Sequence, residues 1–121
     1  MSKKIGDKTE PEFWDSIEIK LNIDGVVHDF SGWQAALVRE FLIYGAAMTV
    51  DGAYDYVTAG GVFGVGIKPM TEFLFKMCDE GILKQSKEPS VKDPDQERLI
   101  LSSALQPDQF LYQIIIHRED E

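Results

Sequence analysis

A chain of 121 residues, 44% hydrophobic and 27% charged, is long enough to bury one real core and too short for two ordinary domains. Asp and Glu outnumber Lys and Arg by 21 to 12, a formal charge of −9, so the chain as a whole repels phosphate and a nonspecific nucleic-acid binder is disfavoured. The apolar runs fall far short of the roughly 20 residues that cross a bilayer, no apolar stretch follows the first lysines, and Cys78 is the single cysteine, which excludes an internal disulfide; a cytoplasmic protein without a membrane contact is expected.

Residues 1–12 are polar and aperiodic, with Gly6 and Pro11, the composition of a flexible tail. A single domain is expected over 13–118, followed by a short acidic tail at 119–121. From Ile17 to Ile23 apolar and polar residues alternate, the mark of a half-buried strand. Asp24-Gly25 favours a type I′ hairpin turn, which pairs Ile23 with Val26, Leu21 with His28, Lys20 with Asp29 and Ile19 with Phe30. That register puts Val26, His28 and Phe30 on the apolar face and a Lys20–Asp29 charge pair on the wet one.

Ser31 is placed to cap a first helix from Gly32 to about Ala47, whose Trp33, Leu37, Phe41 and Tyr44 recur near the helical period. Asp51 is the expected cap of a shorter second helix carrying Ala53, Tyr54, Tyr56 and Val57, stopped by Gly60-Gly61. After a glycine-rich connector, Lys68-Pro69 opens a third helix with Met70, Phe73, Leu74 and Met77 on one face and Gly81 as its stop. Ile82–Lys87 and Arg98–Ala104 then read as a hairpin with a long polar tip. Gln106-Pro107-Asp108 is a turn, and Phe110–His117 is the most strand-like segment.

The stretches GWQAALVREFLIYGAA, DGAYDYVTAG, IKPMTEFLFKMCDEGIL and KQSKEPSVKDPDQERLILSS, over roughly residues 31–104, resemble a winged helix-turn-helix domain. The expected fold is therefore α+β: a single domain with an N-terminal β-hairpin, a three-helix winged-helix-like core, a C-terminal hairpin as the wing and a final strand. The resemblance implies a third helix in a DNA major groove and a wing tip on phosphate or minor groove. The outward side of that helix carries Thr71, Glu72, Phe75, Lys76 and Asp79, which does not offer the basic and amide side chains that read base edges. Lys84, Lys87, Lys92 and Arg98 are the candidate nucleic-acid contacts of the wing, set among Glu88, Asp93, Asp95 and Glu97.

Catalysis is not indicated. The connector GGVFGVG matches neither GxGxxG nor GxxxxGK[ST], and Pro69 removes an amide that a phosphate site would use. His28 and His117 have no nucleophile assigned to them by spacing, and Cys78 is expected to be a buried, inert thiol raised by its acidic neighbours. One Cys and two His give no zinc pattern; Asp93, Asp95 and Glu97 lack the glycine turn and distal glutamate of a calcium loop. No catalytic residue, metal or cofactor is expected. Phe13, Trp14, Tyr54, Tyr56, Phe63 and Phe75, with Glu72 and Asp79, are the candidate partner-binding residues, since Trp and Tyr dominate protein interfaces.

The expected function is a small acidic, non-enzymatic binding module that regulates or adapts a protein partner through an aromatic and acidic surface. Alternatives are a dimeric winged-helix DNA-binding transcription regulator and an acidic DNA mimic that inhibits a nucleic-acid-handling enzyme. A homodimer is the other expected partner, through an open edge on the strand at 17–23 or at 110–117.

Overall fold

The computed structural model describes residues 17–59, 65–90 and 92–117. The expected tails, together with Phe13, Trp14 and Phe63, lie outside the described residues.

Strand β1 (Ile17–Ile23) pairs antiparallel with β2 (Val26–Ser31) in the expected register, Lys20 opposite Asp29 and Ile19 opposite Phe30. Asp24 and Gly25 both take positive φ, 54° and 84°, as a type I′ turn requires. The Gly25 N–H donates to Asn22 Oδ1 at 2.9 Å, and Lys20 Nζ lies 3.0 Å from Asp29 Oδ1 on the wet face. Ile17, Ile19 and Leu21 are fully buried, but on β2 only Phe30 follows them. Val26 is exposed and His28 half-buried, because β2 is a sheet edge and burial falls off along it toward the turn.

The other side of β1 is taken by β5 (Leu111–Ile116), antiparallel, with Ile19 opposite Ile114 and Leu21 opposite Tyr112. The sheet order is β2-β1-β5. The strand at 17–23 is thus the centre of its sheet, and among the described residues β2 and the C-terminal strand β5 are its two edges.

Helix α1 (Gly32–Val38) does not run as one α-helix to Ala47. It widens into a π-helical turn over Arg39–Ile43, closed by hydrogen bonds from Tyr44 N–H to Arg39 O at 3.1 Å and from Ala46 N–H to Glu40 O at 2.9 Å. The extra residue in that turn rotates Tyr44 out of the Leu37–Phe41 stripe, so that Leu37 and Phe41 are buried while Tyr44 is 63% exposed. Ser31 has the extended backbone of an N-cap but makes no side-chain capping bond. Helix α2 (Val50–Ala59) is capped by Thr49 rather than Asp51: Thr49 Oγ1 accepts from the Gly52 N–H at 2.9 Å. Asp51 instead lies in the first turn, where its charge suits the helix dipole.

Helix α3 (Ile67–Asp79) buries Met70, Leu74 and Met77. It ends in a Schellman motif, with Ile82 N–H on Met77 O at 3.0 Å and Gly81 N–H on Cys78 O at 3.1 Å and with Gly81 at φ 79°. The chain then enters a separate two-stranded sheet, β3 (Leu83–Pro89) against β4 (Glu97–Ser103). Met48, between α1 and α2, bridges antiparallel to Leu101 of β4 through hydrogen bonds of 2.9 and 2.8 Å. A short 3-10 turn over Pro107–Gln109 precedes β5.

The described residues therefore form an α+β molecule, with three helices and two antiparallel sheets among them, compatible with a winged-helix-like arrangement. One core joins both sheets: Ile19 and Leu21 from β1, Leu37 and Phe41 from the first helix, Val57, Met70 and Leu74 from the others, and Leu101 from β4. Each such side chain contributes about 1.5–3 kcal/mol of hydrophobic transfer.

Candidate functional site

At 3.6 residues per turn, burial of Met70, Leu74 and Met77 turns Lys68, Glu72, Phe75 and Asp79 to the opposite side of α3. Glu72 and Asp79 are exposed and Phe75 is half-buried between them, so three of the expected partner-binding residues do share one stripe. Asp79 and Glu80 stand at the C-terminal end of α3, where the helix dipole disfavours negative charge.

Phe73 lies on one flank of α3, expected in the core but half-buried. Its ring meets Phe30 edge-on at 6.1 Å and Trp33 edge-on at 5.3 Å. Phe30 comes from β2 and Trp33 from α1, so this cluster ties the N-terminal hairpin to the flank of α3. Beside it lies an open hollow of about 340 Å3, floored by Phe30, Phe73 and Met77 and rimmed by Asp29, Glu72 and Lys76. The rim is of mixed charge, since Asp29 is paired with Lys20 at 3.0 Å and Lys76 stands beside Glu72.

The tyrosines of α2 lie elsewhere. Tyr54 and Tyr56 are half-buried and packed against the core. The Tyr56 hydroxyl donates to Glu40 Oε2 at 3.0 Å and accepts from Arg39 Nη2 at 3.5 Å, and burial, ahead of the Glu40 charge, pushes its pKa up. Its hydroxyl thus braces the π-helical turn, and Arg39 also sits over the exposed Tyr44 ring at 5.6 Å.

All four wing cations are exposed, yet the hairpin divides them. Opposite residues in an antiparallel pair share a face; Lys84 pairs with Ser102 and Glu88 with Arg98, whereas Lys87 pairs with Leu99. Lys84 and Arg98 are therefore on one face and Lys87 on the other, and Arg98 stands directly across from a carboxylate. Cys78 is half-buried and its thiol is pushed up, first by burial, the opposite of what a nucleophile needs. Among the described residues no three or more His, Cys, Asp or Glu side chains are grouped to hold a metal ion, and no helix is long and apolar enough to cross a membrane.

Among the described residues the largest concentration of exposed apolar side chains lies on β5: Leu111 at 73%, Tyr112 at 49%, Ile114 at 39% and Ile116 at 42% exposure. These residues were not singled out by composition, since an apolar strand reads as core. The available signal was the pair of expected open edges, of which β5 is one. Comparison of the chain with protein-family models, curated proteins and solved structures finds no match.

Proposed function

We propose that this chain is a non-enzymatic protein-binding module built on a winged-helix-like core, and that it holds its partner with the acidic stripe and aromatic hollow of α3. The order α1, Met48 bridge, α2, α3, β3, β4 is compatible with a winged-helix-like layout, and the Met48 bridge to β4 supports reading β3 and β4 as the wing. In that layout α3 is the helix that would face DNA. Here its outward side carries Glu72 and Asp79 around Phe75, with Lys68 at its N-terminal end, and Asp29, paired with Lys20, alongside.

The observation that carries the reading is the placement of Asp79 and Glu80 at the α3 C-terminus. Lys76 in the last turn offsets part of their cost, and acids that still oppose the helix dipole fit a surface kept for binding. The chemistry complementary to it is a basic protein segment with an apolar side chain for the hollow. The divided wing cations favour this over DNA readout.

The test is capture from host lysate on the immobilised full chain, with and without nuclease, beside a Glu72→Lys/Asp79→Lys variant. A protein retained after nuclease, released by salt and lost on the variant is the expected result. Recovery of nucleic acid, with binding abolished by Lys84→Ala, Lys87→Ala and Lys92→Ala together, would replace this reading with the DNA-binding regulator. Retention that depends on the carboxylates and is competed by DNA would point to mimicry of a nucleic acid.

A further inference from the structure

We infer that the outer edge of β5 is the contact between two copies of this chain, joined antiparallel about a two-fold axis through Ile114, so that the two three-stranded sheets become one.

The backbone fixes which groups are available. In a two-residue hairpin the residues flanking the loop form a hydrogen-bonded pair, so Ile23 turns its N–H and C=O toward β2. Alternation then directs Asn22, Lys20 and Glu18 toward β5, where they face Leu111, Gln113 and Ile115. The remaining β5 residues, Tyr112, Ile114 and Ile116, present their N–H and C=O groups outward. Among the described residues nothing pairs with that edge.

Side chains point to the same residues. Tyr112, Ile114 and Ile116 lie opposite Leu21, Ile19 and Ile17, hence on the core face of the sheet, yet each is 39–49% exposed where its β1 neighbour is at most 1%. An antiparallel contact that keeps both core faces on one side must pair residues of equal parity. Centred on Ile114, it sets Ile114 against Ile114 and Tyr112 against Ile116 of the second copy. Every outward N–H and C=O of β5 is then used. Centred on Gln113 instead, it would set Ile116 against Phe110, which precedes the strand and is already buried.

The charge pattern suits a second copy of the same uncharged strand. The sequence of β5, LYQIII, has no charged residue and no proline, whereas β2 carries Asp29, β3 carries Lys84, Lys87, Glu88 and Pro89, and β4 carries Glu97 and Arg98. Such residues are what keeps an edge from pairing. Two chains of net charge −9 repel over most of their surfaces, and at β5 they meet without opposing like charges. A charged foreign strand would find nothing there to complement it. The contact is isologous, so it closes as a dimer and does not propagate.

The experiment is sedimentation velocity on the full chain over a wide concentration range, followed by cross-linking of single-cysteine variants in a Cys78→Ser background with a short thiol-to-thiol reagent. Wild type is expected to pass from monomer to dimer as concentration rises. Ile114→Lys, which would oppose two lysines on the axis, is expected to stay monomeric with an unchanged far-ultraviolet circular dichroism spectrum. Ile114→Cys should cross-link, since the facing residues of a hydrogen-bonded pair lie about 5.5 Å apart, a span such a reagent bridges. Ile116→Cys should not, because the two copies of that residue lie four positions apart along the strands. A wild type that is monomeric throughout, a dimer indifferent to Ile114→Lys, or cross-linking of Ile116→Cys in preference to Ile114→Cys would each overturn the inference. None of these results bears on the α3 surface, whose Glu72→Lys/Asp79→Lys variant leaves β5 untouched.

Discussion

Two antiparallel sheets of the same chain treat water in opposite ways. The β3–β4 hairpin extends from the core with only Leu83, Ile100 and Leu101 buried, yet its strands carry charges and Pro89, and Met48 closes part of the outer edge of β4. The β2-β1-β5 sheet has the better core, and it ends in a strand with no charge and four exposed apolar residues. An edge that is guarded in one sheet and bare in the other teaches that exposure at β5 is not a shortage of polar residues. The chain has them and places them elsewhere.

The sharpest way to break that contrast is to compare Ile19 with Ile114, which face each other across β1 and β5. Ile19 is fully buried, and Ile19→Ala should cost about 2–5 kcal/mol in a urea melt. Ile114→Ala, at a dilution where the chain is monomeric, should cost well under half of that. Equal losses would mean that β5 is covered and that the two sheets do not differ as described.

Next in size is Gly81, which sets the direction in which the charged sheet leaves α3. A Cβ there would meet nothing within 4 Å, so the whole penalty of Gly81→Ala is the left-handed backbone, about 1–2 kcal/mol. Equilibrium unfolding would show it. Smaller still, and of opposite sign, is Asp79→Lys. Removing an acid from the α3 C-terminus should stabilise by about 0.3–1 kcal/mol, read as a raised Tm, while weakening partner capture. A variant that is less stable would remove the argument that this acid is kept for binding.

Much of this arrangement was legible in the sequence where a local rule decides. The Asp-Gly turn specified the β1–β2 register residue by residue, and Gly81 ended α3 as expected, because both depend on backbone conformations that few residues adopt. The π-helical turn was not legible: Trp33, Leu37, Phe41 and Tyr44 fit a continuous period, and only packing around Arg39–Ile43 displaces the last of them. Asp51 and Thr49 are both good caps, and nothing local chooses between them. The pairing of β5 with β1 joins residues almost a whole chain apart, so the sequence shows each strand but not their contact. For the same reason the stripe of Glu72, Phe75 and Asp79 could be read from helical spacing, whereas the hollow beside it needs Phe30 of β2 to be brought to Phe73.

The smallest expected effect concerns how the bare strand is fastened at its far end. Just beyond β5, His117 Nε2 lies 2.7 Å from Glu18 Oε1 of β1. The Glu18 carboxyl is held below its ordinary value of 4.5, by His117 first and by Lys20 second. A carboxyl with a lowered folded pKa adds stability that is fully present above its unfolded pKa and is lost as pH falls through the folded value. Glu18→Gln should therefore lower the Tm slightly at neutral pH, and the gap to wild type should begin to close below 4.5 and vanish in stronger acid. Amide exchange should place the loss at the Ile115–His117 end of β5, leaving the β3–β4 sheet unchanged. A gap that persists at low pH would show that Glu18 acts there through packing and not through its charge.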